Sequence, residues 1–333
     1  MTVRLPIPAP NRTIPRSERG MALLTVLMLV GVMGALTAVT LETMNRSLAL
    51  AGNGRAAAQA HHYARGAALV AAERIESLTS QADGVLTLAG GWADEPLTVP
   101  TAGGFISVRI SDASHCFNVN AVVAGTPGGA LRIRPQAVQQ FTGLAQGVGI
   151  ALTRANAMAM ALVDWIDSDT FPQGGGAEDG AYAGFRTPNG LVASPAELTA
   201  VANWSAEDYA LIEPFLCALP TTDMQAINVN TLTDEDAPLL GMLVPRNFSV
   251  TAARGLIARR PPAGWDSRAD FWSAALAIGA QPGARAQYQI AMDSDLFRAD
   301  IDVDEGGFLA QESVLIRLGE RGPQLLQRRW GGA

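Results

Sequence analysis

The strongest hydropathy pattern is a run of 21 residues, 21–41, that carries no charged side chain and follows Arg4, Arg12, Arg16 and Arg19. A helix rising about 1.5 Å per residue reaches roughly 30 Å over this run, enough to cross a bilayer core. The arginines before it predict a cytoplasmic leader, with the rest of the chain on the other side of the membrane. Past residue 41 the pattern becomes amphipathic. Leu48, Ala60, Ala64, Ala67, Ala71, Ile75 and Leu78 recur mostly every three or four residues, with Glu42, Arg46, Arg55, Arg65 and Glu73 between them. One long helix is predicted, ending near Ser80 before Asp83-Gly84, with Gly52-Asn53-Gly54 as a possible kink.

Period-two patterns follow at 85–88 and 105–110 and return only at 296–303, 313–318 and 324–330. Between them the pattern is helical at 135–147, 153–166, 194–201, 205–216, 237–243, 250–259 and 268–277. Ser194-Pro195 with Glu197 at capping-box distance marks one helix start, and Ser205 with Asp208 marks another. The economical architecture is α+β: a long N-terminal helix packed on an antiparallel sheet, with a large all-α domain inserted between the sheet strands. The expected divisions are a leader at 1–20, a membrane segment at 21–41 and the helix remainder with the first strands at 42–115. The insert follows at 116–290 in two subdomains, 116–226 and 227–290, and the terminal strands occupy 291–333.

A basic leader ending in Gly20, followed at once by the apolar helix from Met21, resembles the type IV prepilin and pseudopilin signal. The resemblance implies cleavage between Gly20 and Met21 by a prepilin peptidase, with the helix kept. Two other readings of this N-terminus compete. A secretory signal peptide is opposed by Glu42 and Arg46, which separate the apolar run from the A-x-A-like Ala49-Leu50-Ala51; the other is a plain single-span anchor. Most pilins carry Glu at the fifth mature position. Here that position is Thr25, which implies a subunit that does not need the pairing this Glu makes.

Composition narrows the function. All 24 basic residues are Arg, and the net charge is −7. Four Arg and Glu18 precede Met21, so the remainder carries about −10. Such a surface opposes nucleic-acid backbones and tolerates divalent cations. Cys116 and Cys217 form an even pair in an oxidising compartment, which predicts one disulfide; two unrelated buried thiols are the alternative. Closing a loop of about a hundred residues stabilises by roughly 4 kcal/mol in the chain-entropy model.

Two similar phrases bracket the insert: Cys116-Phe117-Asn118-Val119-Asn120 and Ile227-Asn228-Val229-Asn230-Thr231. Between them stand Asp164-Trp165-Ile166-Asp167-Ser168-Asp169 and Gly176-Ala177-Glu178-Asp179-Gly180-Ala181-Tyr182. In this order the motifs resemble the K-type minor pseudopilins of the bacterial type II secretion system, over nearly the whole chain. The missing fifth-position Glu also fits that family. The resemblance implies a non-enzymatic subunit at the tip of a periplasmic pseudopilus, single-pass in the Gram-negative inner membrane. The implied partners are the I-type and J-type minor pseudopilins, the prepilin peptidase, the inner-membrane secretion platform and membrane lipid. The stripe of Ala60, Ala67, Ala71 and Ile75 is the expected partner seam.

From spacing alone the acidic block reads as a solvated loop, and it does not match an EF-hand. The resemblance implies Ca²⁺ there, with Asp164, Asp167, Asp169, Glu178 and Asp179 as ligands; oxygen donors and flexible glycines suit that ion. Trp165 and Tyr182 are expected to pack around the loop. An enzyme is disfavoured, because no nucleophile or histidine lies near the carboxylates and no G-x-S-x-G, Walker A or dinucleotide fingerprint occurs. A minor type IV or competence pilin is one alternative. The other is a helix-hairpin-helix DNA-binding membrane protein, opposed by the bulky Leu240-Gly241-Met242-Leu243-Val244-Pro245 hairpin and the acidic surface.

Overall fold

A computed structural model describes residues 16–93 and 95–331, so Arg4 and Arg12 of the leader lie outside the described residues. The chain divides into two compact units, Met1–Gln59 and Ala60–Ala333. Helix α1, Arg16–Gln81, is unbroken through Gly52-Asn53-Gly54. Every residue from Gly20 to Arg55 is exposed on the chain itself. A long apolar helix with no protein covering is what a single-pass membrane anchor presents.

The second unit begins with the part of α1 after Ala60, which lies on a five-stranded antiparallel sheet. Its strands are β1 (Leu97–Pro100), β2 (Gly104–Asp112), β3 (Leu296–Glu305), β4 (Phe308–Gly319) and β5 (Gly322–Trp330), adjacent in that order. Gly306 and Gly307, both at positive φ, make the two-residue turn between β3 and β4; two L residues there would be strained. Alternation along β3 turns Phe297, Ala299, Ile301 and Val303 towards the helix. Small helix residues, Ala60, Ala64, Ala67, Ala68, Ala71 and Ala72, let the helix sit close to this surface, and Ile75 is fully buried there. Burying one such aliphatic side chain stabilises by about 1.5–3 kcal/mol.

The insert leaves from β2 and returns at β3. Those strands are neighbours, with Asp112 opposite Phe297, and Ala113 N–H donates to Leu296 C=O at 2.9 Å. The insert's helices are α2 (Pro135–Gly147), α3 (Leu152–Ile166), α4 (Ala206–Ile212), α5 (Ala237–Leu243), α6 (Val250–Ala258), α7 (Arg268–Ala277) and α8 (Ala284–Tyr288). The disulfide Cys116–Cys217, with Cα atoms 5.6 Å apart, joins the insert's start to the end of its first half.

Two sequence expectations change. Residues 85–88 are not a strand: a turn at Asp83 and Gly84 and another at Gly90 and Gly91 leave too short a run, although Leu86 N–H still bonds Met292 C=O. The first strand is instead Leu97–Pro100. The insert is not purely helical either. Two-residue parallel bridges close each half, Phe117-Asn118 on Leu216-Cys217 and Ile227-Asn228 on Ile290-Ala291. Its two subdomains share one hydrophobic core, which runs from Phe117 through α2, α3, α5 and α6 to Met292.

The four asparagines of the repeated phrase explain that framework. All are buried. The first of each pair accepts from the second's backbone N–H: Asn118 from Asn120 at 3.2 Å and Asn228 from Asn230 at 2.9 Å. The second stitches a remote strand of chain. Asn120 donates to Val192 C=O and Leu219 C=O and accepts from Val192 N–H; Asn230 donates to Trp265 C=O and accepts from Trp265 N–H. An amide carries both donor and acceptor, so it can satisfy irregular buried backbone that no sheet reaches.

A candidate metal centre in the insert

Helix α3 ends in an acidic edge. Asp164 lies in its last turn, and Asp167 caps it, with Asp167 N–H bonded to Val163 C=O. The following loop folds back and brings Glu178 beside them. One carboxylate oxygen from each of Asp167, Asp169 and Glu178 lies within 4.8 Å of the others. Asp167 and Glu178 are buried, and Asp167 Oδ1 and Glu178 Oε1 have no hydrogen-bond partner among the described residues. Burial pushes the Asp167 carboxyl up to about 7, and Asp169, Asp164 and Glu178 add like-charge repulsion. Burial also raises Glu178, a rise opposed by its bond from the Thr187 hydroxyl.

Three mutually repelling carboxylates, two of them buried with an orphaned oxygen, are unfavourable unless protonated or neutralised by a cation. The donors are all oxygen, which favours a hard cation. Ca²⁺–O distances of about 2.3–2.6 Å allow oxygens nearly 5 Å apart across one ion. The group present therefore fits Ca²⁺.

The five expected ligands do not converge equally. Asp164 is fully buried, but its oxygens accept from Gln173 N–H at 3.0 and 3.2 Å. Burial raises its pKa, and the Gln173 and Ala177 amides oppose that rise. Asp179 accepts from Thr187 N–H at 2.9 Å and from its hydroxyl at 3.0 Å. Both anchor the loop through these bonds and stand outside the three-carboxylate group, in which Asp169 Oδ1 likewise accepts from Phe171 N–H at 2.9 Å. Trp165, Tyr182 and Phe185 stack beneath it, with Trp165–Tyr182 centroids 5.4 Å apart.

Several supporting residues escaped the sequence reading. Thr187 bridges Glu178 and Asp179, and Asn189 donates to Asp169 C=O at 3.0 Å. Gly176 presses so closely on Asp164 that an added Cβ would stand 2.0 Å from Oδ2. The Gly174-Gly175-Gly176 run signalled a tight loop; nothing in it singled out the third glycine.

The other expected sites fall elsewhere. Gly20 and Met21 lie within α1, and the Thr25 hydroxyl is satisfied inside the helix by Met21 C=O at 3.1 Å and Ala22 C=O at 2.9 Å. The partner seam is corrected: Ala60, Ala67, Ala71 and Ile75 are buried against the chain's own sheet. A stripe of small apolar residues satisfies an internal sheet as well as a neighbouring helix, and the internal sheet takes it here.

Comparison with known proteins places this arrangement. A family model described as type II secretion system (T2SS), protein K, matches residues 115–221, and a second of that description matches 227–293. Type II secretion system protein K of Pectobacterium carotovorum subsp. carotovorum is 32% identical over 95% of this chain and 97% of its own length. The Klebsiella pneumoniae protein of the same name is 32% identical over 94% and 97%. A chain in the crystal structure of the GspK-GspI-GspJ complex from the enterotoxigenic Escherichia coli type 2 secretion system superposes with a TM-score of 0.69 at 29% identity, over 83% of this chain and 96% of that one. A shared fold, and a shared sequence from membrane helix to terminal strands, mean that the chain belongs to the type II secretion system protein K family and is a minor pseudopilin of that system.

Proposed function

We propose that the chain is a non-catalytic tip subunit of the pseudopilus, which it helps to initiate, and so serves export of folded periplasmic proteins. The observation that carries this reading is its likeness to the GspK-GspI-GspJ structure, which extends over 96% of the matched chain. The proposed partners are I-type and J-type minor pseudopilins, with the prepilin peptidase cutting between Gly20 and Met21 and the inner-membrane platform receiving the product. A large insert suits a tip, where nothing stacks above it, and would clash inside a helical shaft.

With the Ala60 stripe buried, the partner-facing side of α1 is the opposite one, where Leu69 and Val70 stand exposed beside Gly66 and Glu73. Glycine there admits a close neighbouring helix. The test is co-purification of the detergent-solubilised full chain with its I-type and J-type partners. Leu69→Arg should weaken the complex about tenfold or more without lowering the chain's own melting temperature. Unchanged assembly would remove α1 as the interface.

The carboxylate group is proposed to hold Ca²⁺ through Asp167, Asp169 and Glu178. Binding only to the folded form adds about 2.7 kcal/mol at a hundredfold excess over Kd. Calcium should raise the melting temperature of metal-stripped protein, and Asp167→Ala with Glu178→Ala should abolish that rise. A wild-type melt indifferent to calcium would return the block to a plain acidic loop.

A further inference from the structure

A cleft of about 280 Å³ lies where the insert's first half meets the sheet. Strand register sets its floor. Arg298 stands opposite Leu315, Leu315 opposite Gln327, and Ser313 opposite Arg329, all on the face turned away from α1. The wall comes from Tyr209, Pro214 and neighbouring apolar residues next to Cys217.

The sheet's arginines have unequal partners. Arg317 lies 3.6 Å from Asp295, Arg328 pairs with buried Glu312, and Arg109 is engaged. Arg329 donates to Ala193 C=O at 3.2 Å, a carbonyl that Gln327 also reaches at 3.1 Å. Among the described residues Arg298 has no hydrogen bond or ion pair, and its cross-strand neighbours Ser111 and Leu315 are uncharged. Two arginines thus line one cleft of a protein with net charge −7, one with no ion pair among the described residues and the other held by a neutral carbonyl. Glu213 also lines the cleft, but it is exposed and no ion pair joins it to either arginine.

We propose that this cleft receives the carboxylate side chain of an acidic peptide segment of a partner protein, with Arg298 as the forked donor and Arg329 beside it. The planar guanidinium matches a carboxylate through two parallel N–H···O bonds, and apolar walls strengthen such a bond by excluding water. The volume lies just below the usual range for whole small-molecule ligands and suits one or two side chains. The Tyr209 and Ser313 hydroxyls supply further donors at the same place.

The experiment is fluorescence anisotropy on the full chain in detergent, with a tagged, end-blocked peptide bearing two adjacent glutamates and its glutamine counterpart. The glutamate peptide should bind about tenfold tighter, and more weakly as salt rises. Arg298→Gln should remove that preference, Arg298→Lys should retain part of it, and Arg246→Gln, on the exposed loop after α5, should leave it intact. Melting curves confirm that the variants fold. Equal binding of the two peptides, or a preference that survives Arg298→Gln, overturns the proposal. So does inorganic phosphate displacing the glutamate peptide at concentrations where acetate does not, since the cleft would then be a free-anion site.

Discussion

The two halves of the insert start from the same phrase and finish differently. Asn118 and Asn120 open the first, and Asn228 and Asn230 open the second; each pair is buried, and each half is closed by a parallel two-residue bridge. In the first half, α3 ends in carboxylates and a long loop curls back over them. In the second, short α5 and α6 pack together, and Leu240, Met242, Leu243 and Val244 are all buried. The buried amides fix the scaffold, and chemistry is added only where one half leaves a long polar loop. The single core shared by both halves lets one carry an electrostatically unfavourable site while the other supplies stability.

The largest expected effect tests the shared part. Asn120→Leu leaves Val192 N–H, Val192 C=O and Leu219 C=O unpaired; Asn228→Leu does the same to Leu86 C=O and Asn230 N–H and leaves the Ser294 hydroxyl only its bond to Asp112. At about 1–3 kcal/mol per orphaned group, each change should cost about 4 kcal/mol or more in denaturant unfolding. A large loss in one half with almost none in the other would break the parallel.

The disulfide belongs to the first half alone. Cys116→Ser with Cys217→Ser should cost roughly 3–4 kcal/mol, and reductant should lower the wild-type melt while leaving the double variant unmoved. Full alkylation of unreduced, denatured protein would contradict the bridge.

The acidic loop should make stability depend on pH. The folded Asp167 carboxyl holds its proton up to about 7, against an ordinary 3.8. Between those values the folded form binds more protons than the unfolded one, so metal-free stability falls as pH rises, by at most about 1.4 kcal/mol per pH unit. Calcium takes the proton's place, so its affinity should rise with pH over the same window. Asp167→Asn should raise the metal-free melting temperature near neutral pH and flatten its pH dependence. A flat wild-type profile in chelator would show that Asp167 is not held protonated.

The smallest effect is expected at Gly176→Ala, about 2 kcal/mol, because the new methyl displaces the Asp164 carboxylate. Calcium's stabilising effect should shrink with it, since Asp164 ties down the loop that brings Glu178 into place. Undiminished calcium stabilisation would show that this anchor does not position the ligands.

Much of this molecule was legible because local chemistry is read locally. The charge-free run at 21–41, the alternation in the C-terminal strands, and Ser194-Pro195 and Ser205 as start signals depend on neighbours within one turn or one strand. The same holds for the acidic block as a place of interest. What each of its carboxylates does was not legible. The family resemblance offers Asp164 and Asp179 as ligands beside the other three, yet they stand outside the close carboxylate group and hold the loop through the amides of Gln173, Ala177 and Thr187.

The sequence by itself determined the membrane helix, the α+β order and the position of the insert, because hydrophobic periodicity and caps act over a few residues. Tertiary structure alone decided which face of α1 is free. The sheet that covers Ala60, Ala67, Ala71 and Ile75 is completed by residues more than two hundred positions later, and no local pattern encodes which of two apolar partners a stripe will meet. It likewise decided that the Arg298 side chain, unlike the sheet's other arginines, has no hydrogen bond or ion pair among the described residues, because cross-strand register sets its neighbours.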